Sequence, residues 1–558
     1  MGTSIVRFRV VIIGRLYPAS IWRLVDRLGR DAPGIVVAGV LLEPVEQKNL
    51  RARVTNFIRS ARRPGYARYV IGRLLAAPIR AAARAGHAVL RICHAAPRDV
   101  RPRELSAADL LDRLKATNIE TFVTPRVHSP EALAFVRSLR ADLGVVYGAR
   151  ILKPELFDIP RLGSINIHQR KVPDYRGGGP IGLWELLDDQ KEIGVTIHRV
   201  TAALDAGAVI ASATIPIEPF DDLVSLGLKA DVVGDDLLVQ AVNDVAAGAV
   251  HERPQGEGGT LYRTPPPEAL HRMERTLRRR RRPFVPRQAW PRWKLMAHVV
   301  VFGMRAVWRN RRYRRTGSFP VVMLYHHVIA DRPHRMGIST SHFARQIEYL
   351  RRHYHIASLP EAIAMLRAGR VEAPTVVLTF DDGYADNLLN VRAVLEPLGL
   401  SATFFVCSDH LSTGRPFQHD VLAGDEGFRP MTWSEARTLV HRGFTVASHT
   451  RTHFNCGSTD VERLRQEIDE ARTEIEAEIG RPVPLFSFPW GQPVNMSAEA
   501  VAIAHERYDA IFSACGGVNH PGDATQWHFR RCHHPDDLIE LELTVQSLLD
   551  MDPAPLPF

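Results

Sequence analysis

Two groups of polar residues in the second half of the chain have the types and spacing that amide hydrolysis requires. Asp381 and Asp382 end an apolar run and precede Gly383, and His449 and His453 follow another β-like run. One carboxylate and two imidazoles can hold a divalent metal ion and leave a coordination position for water. Such an ion lowers the pKa of the water, and the second aspartate can act as the general base. The pattern predicts metal-dependent hydrolysis, with zinc preferred to the iron that a similar ligand set binds in oxygenases.

These two segments resemble the polysaccharide deacetylases of the NodB-homology type, whose first two motifs are T-F-D-D-G and H-[ST]-x-x-H. The matching segments here are Thr379–Gly383 and His449–His453. The resemblance implies that Asp381 is the catalytic base. It also implies a divalent metal cofactor, whose ligands are Asp382, His449 and His453.

The third motif of that family is an aromatic-rich loop that lines the substrate site. Its matching residues are Pro489, Trp490 and Gly491. The arginine that usually precedes the loop is absent, because Phe486 and Ser487 stand there. Arg531 lies in a segment similar to the late arginine strand of the family, and we expect it to replace the missing side chain.

A strand-like run that ends in His326 and His327 lies ahead of the aspartates, with His326 55 residues before Asp381. This order is similar to the circularly permuted branch of the family, in which the strand that carries the acid comes first. The resemblance implies that His326 is the general acid that protonates the leaving amine, with His327 as the less favoured choice. Simple capping of the strand by a histidine is the alternative.

A second chemical pattern lies in residues 163–210, where an amide, an imidazole and a carboxylate suit acyl transfer to an amine. Asn166 and His168 are two positions apart in a strand-like segment, so their side chains share one face. An amide can bind an oxyanion, an imidazole can move a proton, and the carboxylate of Asp205 can orient the imidazole. The motif order N-x-H, P-x-Y-R-G, G-V-T-x-H and D-x-G resembles the folate-dependent formyltransferases over residues 1–260.

That resemblance implies formyltetrahydrofolate as the formyl donor and an amine as the acceptor. The catalytic residues that it implies are Asn166, His168 and Asp205. The substrate-binding loop that it implies contains Tyr175, Arg176 and Gly177. Gln169–Val172 replaces the usual Pro-Ser-Leu-Leu of the family, and the turn at Ile13–Arg15 lacks a dinucleotide fingerprint, so no NAD site is expected.

Strand-like and helix-like runs alternate in both halves of the 558-residue chain, which predicts α/β folds. We expect an N-terminal Rossmann-like formyltransferase domain over residues 1–262. A distorted (β/α) barrel of the polysaccharide deacetylase type is expected over residues 317–558, with an amphipathic helix at Val461–Ile479. Residues 263–316 are the predicted Arg-rich linker with an amphipathic helix. The composition, 45% hydrophobic and 24% charged, excludes a disordered or fibrous chain.

The net charge of +11 is concentrated in two Arg-rich stretches. Residues 51–103 carry +12 and residues 272–315 carry +15, which leaves −16 for the remainder. Within the second stretch, Trp290–Trp308 has basic flanks and an apolar centre too short to span a bilayer, as expected of a helix lying on an anionic membrane surface. A solvated linker is the alternative. Nucleic acid is the less favoured partner, because a deacetylase-like segment replaces the RNA-binding domain of methionyl-tRNA formyltransferases.

Together these patterns predict a bifunctional enzyme of sugar amines, which removes an N-acyl group and transfers formyl to a free amine. The expected substrate is an amino sugar that is nucleotide-linked, lipid-linked or part of a polysaccharide. The alternatives are a formyltransferase with an inactive glycan-binding domain, a deformylase paired with its own formyltransferase, and an RNA-directed formyltransferase. Five scattered cysteines without a C-x-x-C favour a reducing compartment, so we expect a cytoplasmic protein, peripheral to the inner face of the membrane.

Overall fold

The structure is a computed structural model that describes residues 7–45, 105–280 and 308–547, apart from positions 257, 264, 426 and 524–526, together with residues 291, 297 and 556. These residues form two compact units, which divide between positions 280 and 308. The Arg-rich segment 51–103 lies outside the described residues, as does nearly all of the predicted membrane-surface helix Trp290–Trp308. None of the helices that the structure describes combines the length and the hydropathy needed to cross a bilayer.

The N-terminal unit is built on a seven-stranded sheet with the order β3-β2-β1-β4-β5-β7-β8. Its first five strands are parallel, and β7 and β8 continue the sheet in antiparallel pairing. The bounds of its strands are β1 Phe8–Arg15, β2 Ile35–Glu43, β3 Glu120–Val123, β4 Leu143–Tyr147, β5 Ser164–His168, β6 Tyr175–Gly177, β7 Glu192–Arg199, β8 Val209–Pro216 and β9 Thr260–Tyr262. The short strands β6 and β9 pair with each other.

The helices of this unit cover both faces of the sheet. Along β1, Val10 and Ile12 face one hydrophobic cluster, while Val11 and Ile13 face the other. This alternation is the period of two that an extended strand gives to its side chains. The bounds of the helices are α1 Pro18–Asp31, α2 Ala107–Ala116, α3 Pro130–Ser138, α4 Pro154–Phe157, α5 Leu183–Leu187, α6 Leu223–Ala246 and α7 Pro267–Arg280. The result is the predicted three-layer Rossmann-like architecture.

The C-terminal unit is a parallel barrel whose main path is β19-β18-β17-β16-β15-β14-β10-β20, with β13 also paired to β14. Its strands are β10 Val321–His326, β11 Val328–Ile329, β12 Gly337–Ile338, β13 His355–Ala357, β14 Thr375–Phe380, β15 Thr403–Val406, β16 Thr445–Ser448, β17 Leu485–Ser487, β18 Ala510–Ser513, β19 His528–Arg530 and β20 Cys532–His533. Because β19 pairs with β18 and β20 with β10, residues 528–533 join the two edges of the sheet. Arg531 lies at the junction.

Helices surround this barrel. Their bounds are α8 Thr340–His353, α9 Leu359–Arg367, α10 Ala385–Leu395, α11 Ser408–Thr413, α12 Gln418–Val421, α13 Trp433–His441, α14 Val461–Arg465, α15 Ala471–Ile479, α16 Ala498–Arg507 and α17 Leu538–Val545. A π-helical turn at Gln466–Glu470 joins α14 to α15, so the predicted amphipathic helix at Val461–Ile479 is present with one widened turn. The strands β10 and β14 are apolar and almost fully buried, and chemically active residues stand at the end of each.

Candidate active sites

The C-terminal site lies at the carboxyl ends of three barrel strands. His327 follows β10, Asp381 and Asp382 follow β14, and His449 follows β16. Parallel strands present their carboxyl ends at the same rim, which is where α/β proteins place their functional groups. A cavity of about 470 Å³ opens there. Its lining includes Tyr325, His327, Arg335, Met336, Asp381, His419, His449, His453, Trp490 and Ala514.

Asp382, His449 and His453 form a group that could hold a metal ion. Oδ1 of Asp382 is buried without a well-aligned hydrogen bond. It lies 3.5 Å from Nε2 of His449 and 3.2 Å from Nε2 of His453. Burial acts to raise the pKa of Asp382, but His453 and the hydrogen bond from His327 lower it well below its usual range. A carboxylate and two converging imidazoles are a donor set that fits a divalent cation.

His449 is oriented by the chain around it. Its Nδ1 lies 2.7 Å from the carbonyl oxygen of Ser487, to which it donates a hydrogen bond, so that Nε2 is left with a lone pair. Burial lowers the pKa of His449 to about 4, which keeps the ring neutral. A neutral imidazole whose second nitrogen donates to a carbonyl is the usual form of a metal-binding histidine.

The turn that joins His449 to His453 is held by a buried carboxylate, Glu467. It accepts hydrogen bonds from the backbone amides of Arg451 and Thr452, at 3.1 and 2.9 Å, and from the Thr452 hydroxyl at 2.7 Å. Glu467 belongs to the π-helical segment Gln466–Glu470. This segment places the Glu467 side chain against the backbone turn between His449 and His453. The two histidines are therefore set in position by contacts within the protein.

Asp381 is paired with Arg531, the residue at the closure of the barrel. The guanidinium donates to both carboxylate oxygens, Nη1 to Oδ1 at 2.6 Å and Nη2 to Oδ2 at 2.9 Å. It also donates to the hydroxyls of Thr379, at 3.0 Å, and of Ser487. Arg531 thus reaches the aspartate from the segment that closes the barrel beside β10, as expected of a replacement for the arginine missing before the aromatic loop.

The two adjacent histidines at the end of β10 point in different directions, and the geometry departs from the expectation that His326 is the acid. His326 is buried, stacked on Phe380 with ring centroids 5.1 Å apart, and is absent from the cavity lining. His327 lines the cavity, and its Nδ1 lies 3.1 Å from Oδ2 of Asp382. Successive side chains of a strand alternate in direction, so only one of the pair can face the site. The geometry favours His327.

The pKa values of these two histidines are also shifted in opposite directions. Burial lowers the pKa of His326 well below its usual value, and the neighbouring His534 lowers it further. Burial acts in the same direction on His327, but the hydrogen bond and the charge of Asp382 raise the pKa of His327 overall. A proton on His327 therefore has a partner, whereas a proton on His326 would have none among these neighbours.

The aromatic loop reaches the same cavity. Trp490 is 49% exposed, and its ring centroid lies 4.4 Å from that of His453. Gly491 lets the loop approach the barrel closely, because a Cβ there would lie 2.5 Å from the backbone nitrogen of Ala514. Trp490 therefore covers one ligand of the candidate metal site with half of its surface open to a substrate.

A polar network behind the site was not predicted. His419 lines the cavity, and its Nε2 lies 2.8 Å from the hydroxyl of Tyr384 and 3.9 Å from Oδ2 of Asp382. The Tyr384 hydroxyl donates to Oδ2 of Asp420 at 2.6 Å, and Oδ1 of that aspartate lies 3.1 Å from Nε2 of His334. His419 and Asp420 come from the four-residue helix α12, which has no periodic pattern in sequence, so spacing alone could not find them.

Non-glycine residues with a positive φ angle occur in both candidate sites. Nine non-glycine residues of the described segments have a positive φ, and five of them belong to the two sites: Asp205, Asp382, Thr450, His453 and Trp490. Such conformations cost about 1–3 kcal/mol each and persist where the surroundings determine them strongly. The backbone is therefore strained at the positions that hold the candidate ligands and the substrate-facing aromatic.

The N-terminal site lies where β5 pairs with β7. Asn166 and His168 both lie on β5, and His198 stands directly opposite Asn166 on β7. Oδ2 of Asp205 lies 3.7 Å from Nδ1 of His168, and Oδ1 lies 3.6 Å from Nε2 of His198. Nδ2 of Asn166 is 3.2 Å from Nε2 of His198. The structure thus brings the three predicted residues together and adds His198, which the G-V-T-x-H motif contained without a role.

Hydrogen bonding determines which nitrogen of His168 can act as a base. Nε2 donates to the carbonyl oxygen of Tyr175 at 2.9 Å, so Nδ1 carries the lone pair and faces Asp205. Burial lowers the pKa of His168, although Asp205 opposes the shift. For Asp205 burial acts to raise the pKa, but His198 and His168 lower it overall. The site holds a neutral imidazole beside an ionised carboxylate.

The predicted substrate loop is tied to this site. The backbone amide of Gly177 donates to Oδ2 of Asp205 at 3.0 Å, and the Tyr175 hydroxyl donates to Asp188 at 3.1 Å. The side chain of Arg176 points elsewhere and donates to Gln255 at 2.9 Å. The backbone of the loop, more than its side chains, therefore contacts the candidate catalytic residues.

The segment that departs from the formyltransferase pattern has a structural role. Arg170 is buried, pairs with Glu185 at 3.2 Å, and donates to the carbonyl oxygens of Gly179 and Pro180. Gln169 donates to Asp231. A buried guanidinium with a carboxylate and two carbonyls around it is well satisfied. Arg170 therefore holds the glycine-rich loop, and Gln169 contacts helix α6.

Comparison with known proteins agrees with this division of the chain. Residues 72–242 match the family model described as formyl transferase, and residues 368–507 match the one described as polysaccharide deacetylase. The methionyl-tRNA formyltransferase of Macrococcus caseolyticus is 35% identical over 188 residues, 33% of this chain and 60% of the relative. That of Solibacter usitatus is 32% identical over 31% of this chain and 56% of the relative. The chain spans 60% or less of the length of these relatives.

Solved structures similar to each unit are also known. The structure of IcaB from Ammonifex degensii is 23% identical, with 41% of this chain and 97% of that chain covered and a TM-score of 0.36. A sugar N-formyltransferase from a Shewanella species is 16% identical, with 46% and 76% covered and a TM-score of 0.29. With both family models matched, the chain carries a formyltransferase domain followed by a polysaccharide deacetylase domain.

Proposed function

We propose that the protein is a bifunctional enzyme of amino-sugar nitrogen. Its deacetylase domain hydrolyses an N-acyl group with the help of a divalent metal, and its formyltransferase domain transfers formyl from formyltetrahydrofolate to a sugar amine. The observation that carries the proposal is the pairing of Asp381 with Arg531 beside the group Asp382, His449 and His453 in one cavity. An inactive domain that only binds glycan would have no need of this arrangement.

The residues present fit a divalent cation, which we expect to be zinc. The fit is supported by the buried Oδ1 of Asp382 and by the neutral His449, whose Nδ1 is already engaged by a carbonyl. A bound cation would lower the pKa of a water molecule and polarise the amide carbonyl. Two histidines and one carboxylate also bind iron in oxygenases. That chemistry would leave Asp381 and His327 without a role.

In the proposed hydrolysis, Asp381 accepts the proton of the attacking water, and Arg531 holds its carboxylate in place. A bond forms between the water oxygen and the amide carbon, and the C–N bond then breaks. His327, which lines the cavity, donates a proton to the departing nitrogen, so that the products are a free amine and a carboxylic acid. Trp490 provides an apolar surface for the sugar ring.

In the proposed formyl transfer, the sugar amine attacks the formyl carbon of the donor. Nδ1 of His168 accepts the proton that the amine loses, and the amide of Asn166 donates a hydrogen bond to the carbonyl oxygen as its negative charge develops. Asp205 stabilises the imidazolium that forms. The proton then passes to the departing nitrogen of tetrahydrofolate, and His168 returns to its neutral state.

The acyl group that is removed and the acceptor of the formyl group each have an alternative. The acyl group removed is either acetyl, which exposes the amine for formylation, or formyl, which makes the second domain a deformylase for the product of the first. An RNA-directed formyl transfer is the alternative that the names of the sequence relatives favour.

The basic charge of residues 272–315 supports a peripheral position on the anionic inner face of the membrane, and a cytoplasmic location goes with the folate donor.

The decisive experiment follows mass changes in N-acetyl amino sugars, their free amines and methionyl-tRNA. The zinc-loaded protein is incubated with each, with and without formyltetrahydrofolate and with and without chelator. We expect loss of an acyl group from a sugar that is abolished by chelator, and gain of one formyl group by a sugar amine. Formylation of methionyl-tRNA alone would overturn the sugar assignment. Acyl loss that persists in chelator would overturn the metal-dependent mechanism.

A further inference from the structure

One arginine at the deacetylase cavity has no hydrogen-bonding or ion-pair partner in the described part of the chain. Arg335 is exposed and belongs to the lining of the cavity that also contains Asp381 and the candidate metal ligands His449 and His453. It forms no hydrogen bond or ion pair with any residue that the structure describes. Its charge opposes the rise in the pKa of Tyr384 that burial and two aspartates cause, which is consistent with a guanidinium directed toward the site.

Three other arginines on the surface of the same domain are paired with carboxylates. Arg332, three positions earlier, donates to both oxygens of Asp386, at 3.2 and 2.9 Å. Arg429 donates to both oxygens of Glu435, and Arg437 lies 2.8 Å from an oxygen of Glu478. Arg335 therefore differs from its neighbours in having its five donors available to a molecule that enters the cavity.

The turn that carries Arg335 is anchored on both sides. The side chain of His334 is fully buried, and its Nε2 lies 3.1 Å from Oδ1 of Asp420. Its Nδ1 accepts a hydrogen bond from the backbone amide of Met336, also at 3.1 Å. The Gly337 amide donates to the carbonyl of His334 at 3.2 Å. The backbone on either side of Arg335 is thus fixed, and the guanidinium is presented at the cavity from a defined turn.

The charges of the site favour an anionic ligand at this position. The charge of Arg531 is balanced by Asp381, and that of Asp382 would be more than balanced by a divalent cation. Arg335 then adds a further positive charge at the mouth. A neutral N-acyl sugar leaves this excess of positive charge unbalanced. A phosphate on the sugar would balance it and would accept paired hydrogen bonds from the guanidinium of Arg335.

We infer that Arg335 is a specificity-determining residue, which binds a phosphate group carried by the N-acyl amino sugar. This inference rests on the proposed hydrolytic function, and it narrows the substrate from any amino sugar or neutral polysaccharide to a phosphorylated amino sugar. The phosphate belongs either to a sugar phosphate, to a nucleotide diphosphate or to a lipid carrier, since all three present the same anionic oxygens to the guanidinium.

The test measures binding and turnover separately. The zinc-loaded protein is titrated by calorimetry with glucose and with glucose 1-phosphate, which have no N-acyl group to hydrolyse. The same protein is assayed for acetate release from N-acetylglucosamine and from its 1-phosphate. The variants are Arg335→Gln and, as a matched control, Arg437→Gln, which removes the same charge from an exposed pair on a helix of this domain. UDP-N-acetylglucosamine and a farnesyl-diphosphate-linked sugar then distinguish the nucleotide carrier from the lipid carrier.

We expect wild-type protein and Arg437→Gln to prefer the phosphorylated sugar by about 10- to 100-fold in affinity and in kcat/KM, since a hydrogen bond to a charged group contributes on this scale. Arg335→Gln should lose this preference and keep its affinity for the neutral sugar. Equal binding of both sugars by wild-type protein, or equal losses in the two variants, would overturn the role of Arg335. Preferential binding without any acetate release would instead count against the hydrolase and leave the anion site standing.

Discussion

The two candidate active sites differ in the groups that they pair with a buried carboxylate. In the deacetylase domain Asp381 is engaged by both nitrogens of Arg531, and Asp382 faces two imidazoles around an orphaned oxygen. In the formyltransferase domain Asp205 has no arginine or lysine paired to it in the described residues, and it is shared between His168 and His198. The first site contains a fixed cation and a donor set that fits another, whereas the carboxylate of the second site contacts two imidazoles, which can exchange protons.

This difference fits the chemistry that we propose for each site. Water is a poor nucleophile and an amide a poor electrophile, and a metal ion assists hydrolysis by activating both. An amine is already nucleophilic and formyltetrahydrofolate is already activated, so the proposed formyl transfer requires mainly the positioning of the reactants and the movement of one proton. The proposed transfer therefore needs no permanent cation, whereas the proposed hydrolysis uses one.

The largest effect that separates the two sites is expected from Asp382→Asn. Loss of this ligand should reduce acyl hydrolysis by at least about 10³-fold, because free water has a pKa near 15.7 and metal-bound water near 7. Zinc content after dialysis should fall in parallel. Formyl transfer, measured on the same preparation, should be unchanged, and a comparable loss there would mean that the two sites depend on each other.

The reciprocal change is Asp205→Asn. It should reduce formyl transfer by about 10²- to 10⁴-fold, since the imidazolium that forms on His168 would lose its counter-charge. Acyl hydrolysis and zinc content should remain at their wild-type values. A variant that still transfers formyl at the wild-type rate would show that Asp205 serves only to hold the Gly177 amide.

The two histidines at the end of β10 allow a comparison between a residue that lines the site and its buried neighbour. His327→Gln should lower kcat for hydrolysis by about 10²-fold or more, because the departing nitrogen loses its acid. His326→Gln should retain most of the turnover and lower the midpoint of chemical denaturation, because His326 is packed against Phe380 in the interior. Zinc binding by both variants controls for loss of the metal. The reverse pattern of kcat values would restore His326 as the acid.

Buried arginines offer a comparison of stability between the domains. Arg531→Met and Arg170→Met each leave a carboxylate unpaired in the interior, and a loss of about 3–5 kcal/mol in the free energy of unfolding is expected for either domain. Denaturant titrations that follow each domain separately would measure it. Arg531→Met should also abolish hydrolysis, whereas Arg170→Met should chiefly raise the KM for the amine, because Arg170 contacts the loop and not the reacting groups.

The smallest effect concerns pH. Burial lowers the pKa of His168, with Asp205 and the Tyr175 carbonyl opposing this shift and His198 and Arg170 supporting it. The neutral form that accepts a proton therefore persists below the ordinary histidine pKa of about 6.5. Corrected for the neutral fraction of the substrate amine, kcat/KM for formyl transfer should stay flat from pH 8 to about 6.5 and decline only below it. An apparent pKa above that value would contradict the environment described for His168.

Sequence motifs predicted the fold classes and most of the residues that the structure brings together at the two candidate sites, because both depend on short segments at the ends of strands. The apolar runs before Asp381 and His449 identify buried parallel strands, and parallel strands bring their carboxyl ends together. The direction of a single side chain was harder to predict. His326 and His327 have the same chemistry and neighbouring positions, and only the register of β10 determines which of them faces the cavity.

Residues far apart in sequence were predicted only where a family pattern pointed to them. Arg531 was expected from its similarity to a late arginine strand, but its contact with Asp381 depends on the closure of the barrel at residues 528–533. His419, Tyr384 and Asp420 belong to no periodic pattern, so their assembly behind the site required the structure. Long-range contacts of this kind are a property of the tertiary fold and leave no local signal.

The widened turn of helix at Gln466–Glu470 has a consequence for how the candidate metal site would be filled. Glu467 holds the backbone between His449 and His453 through hydrogen bonds that involve no ion. The proposed ion would therefore bind to a folded domain, unlike the ion of a zinc finger, whose fold is lost when the ion leaves. Exchange of the proposed ion would then require no unfolding of the domain.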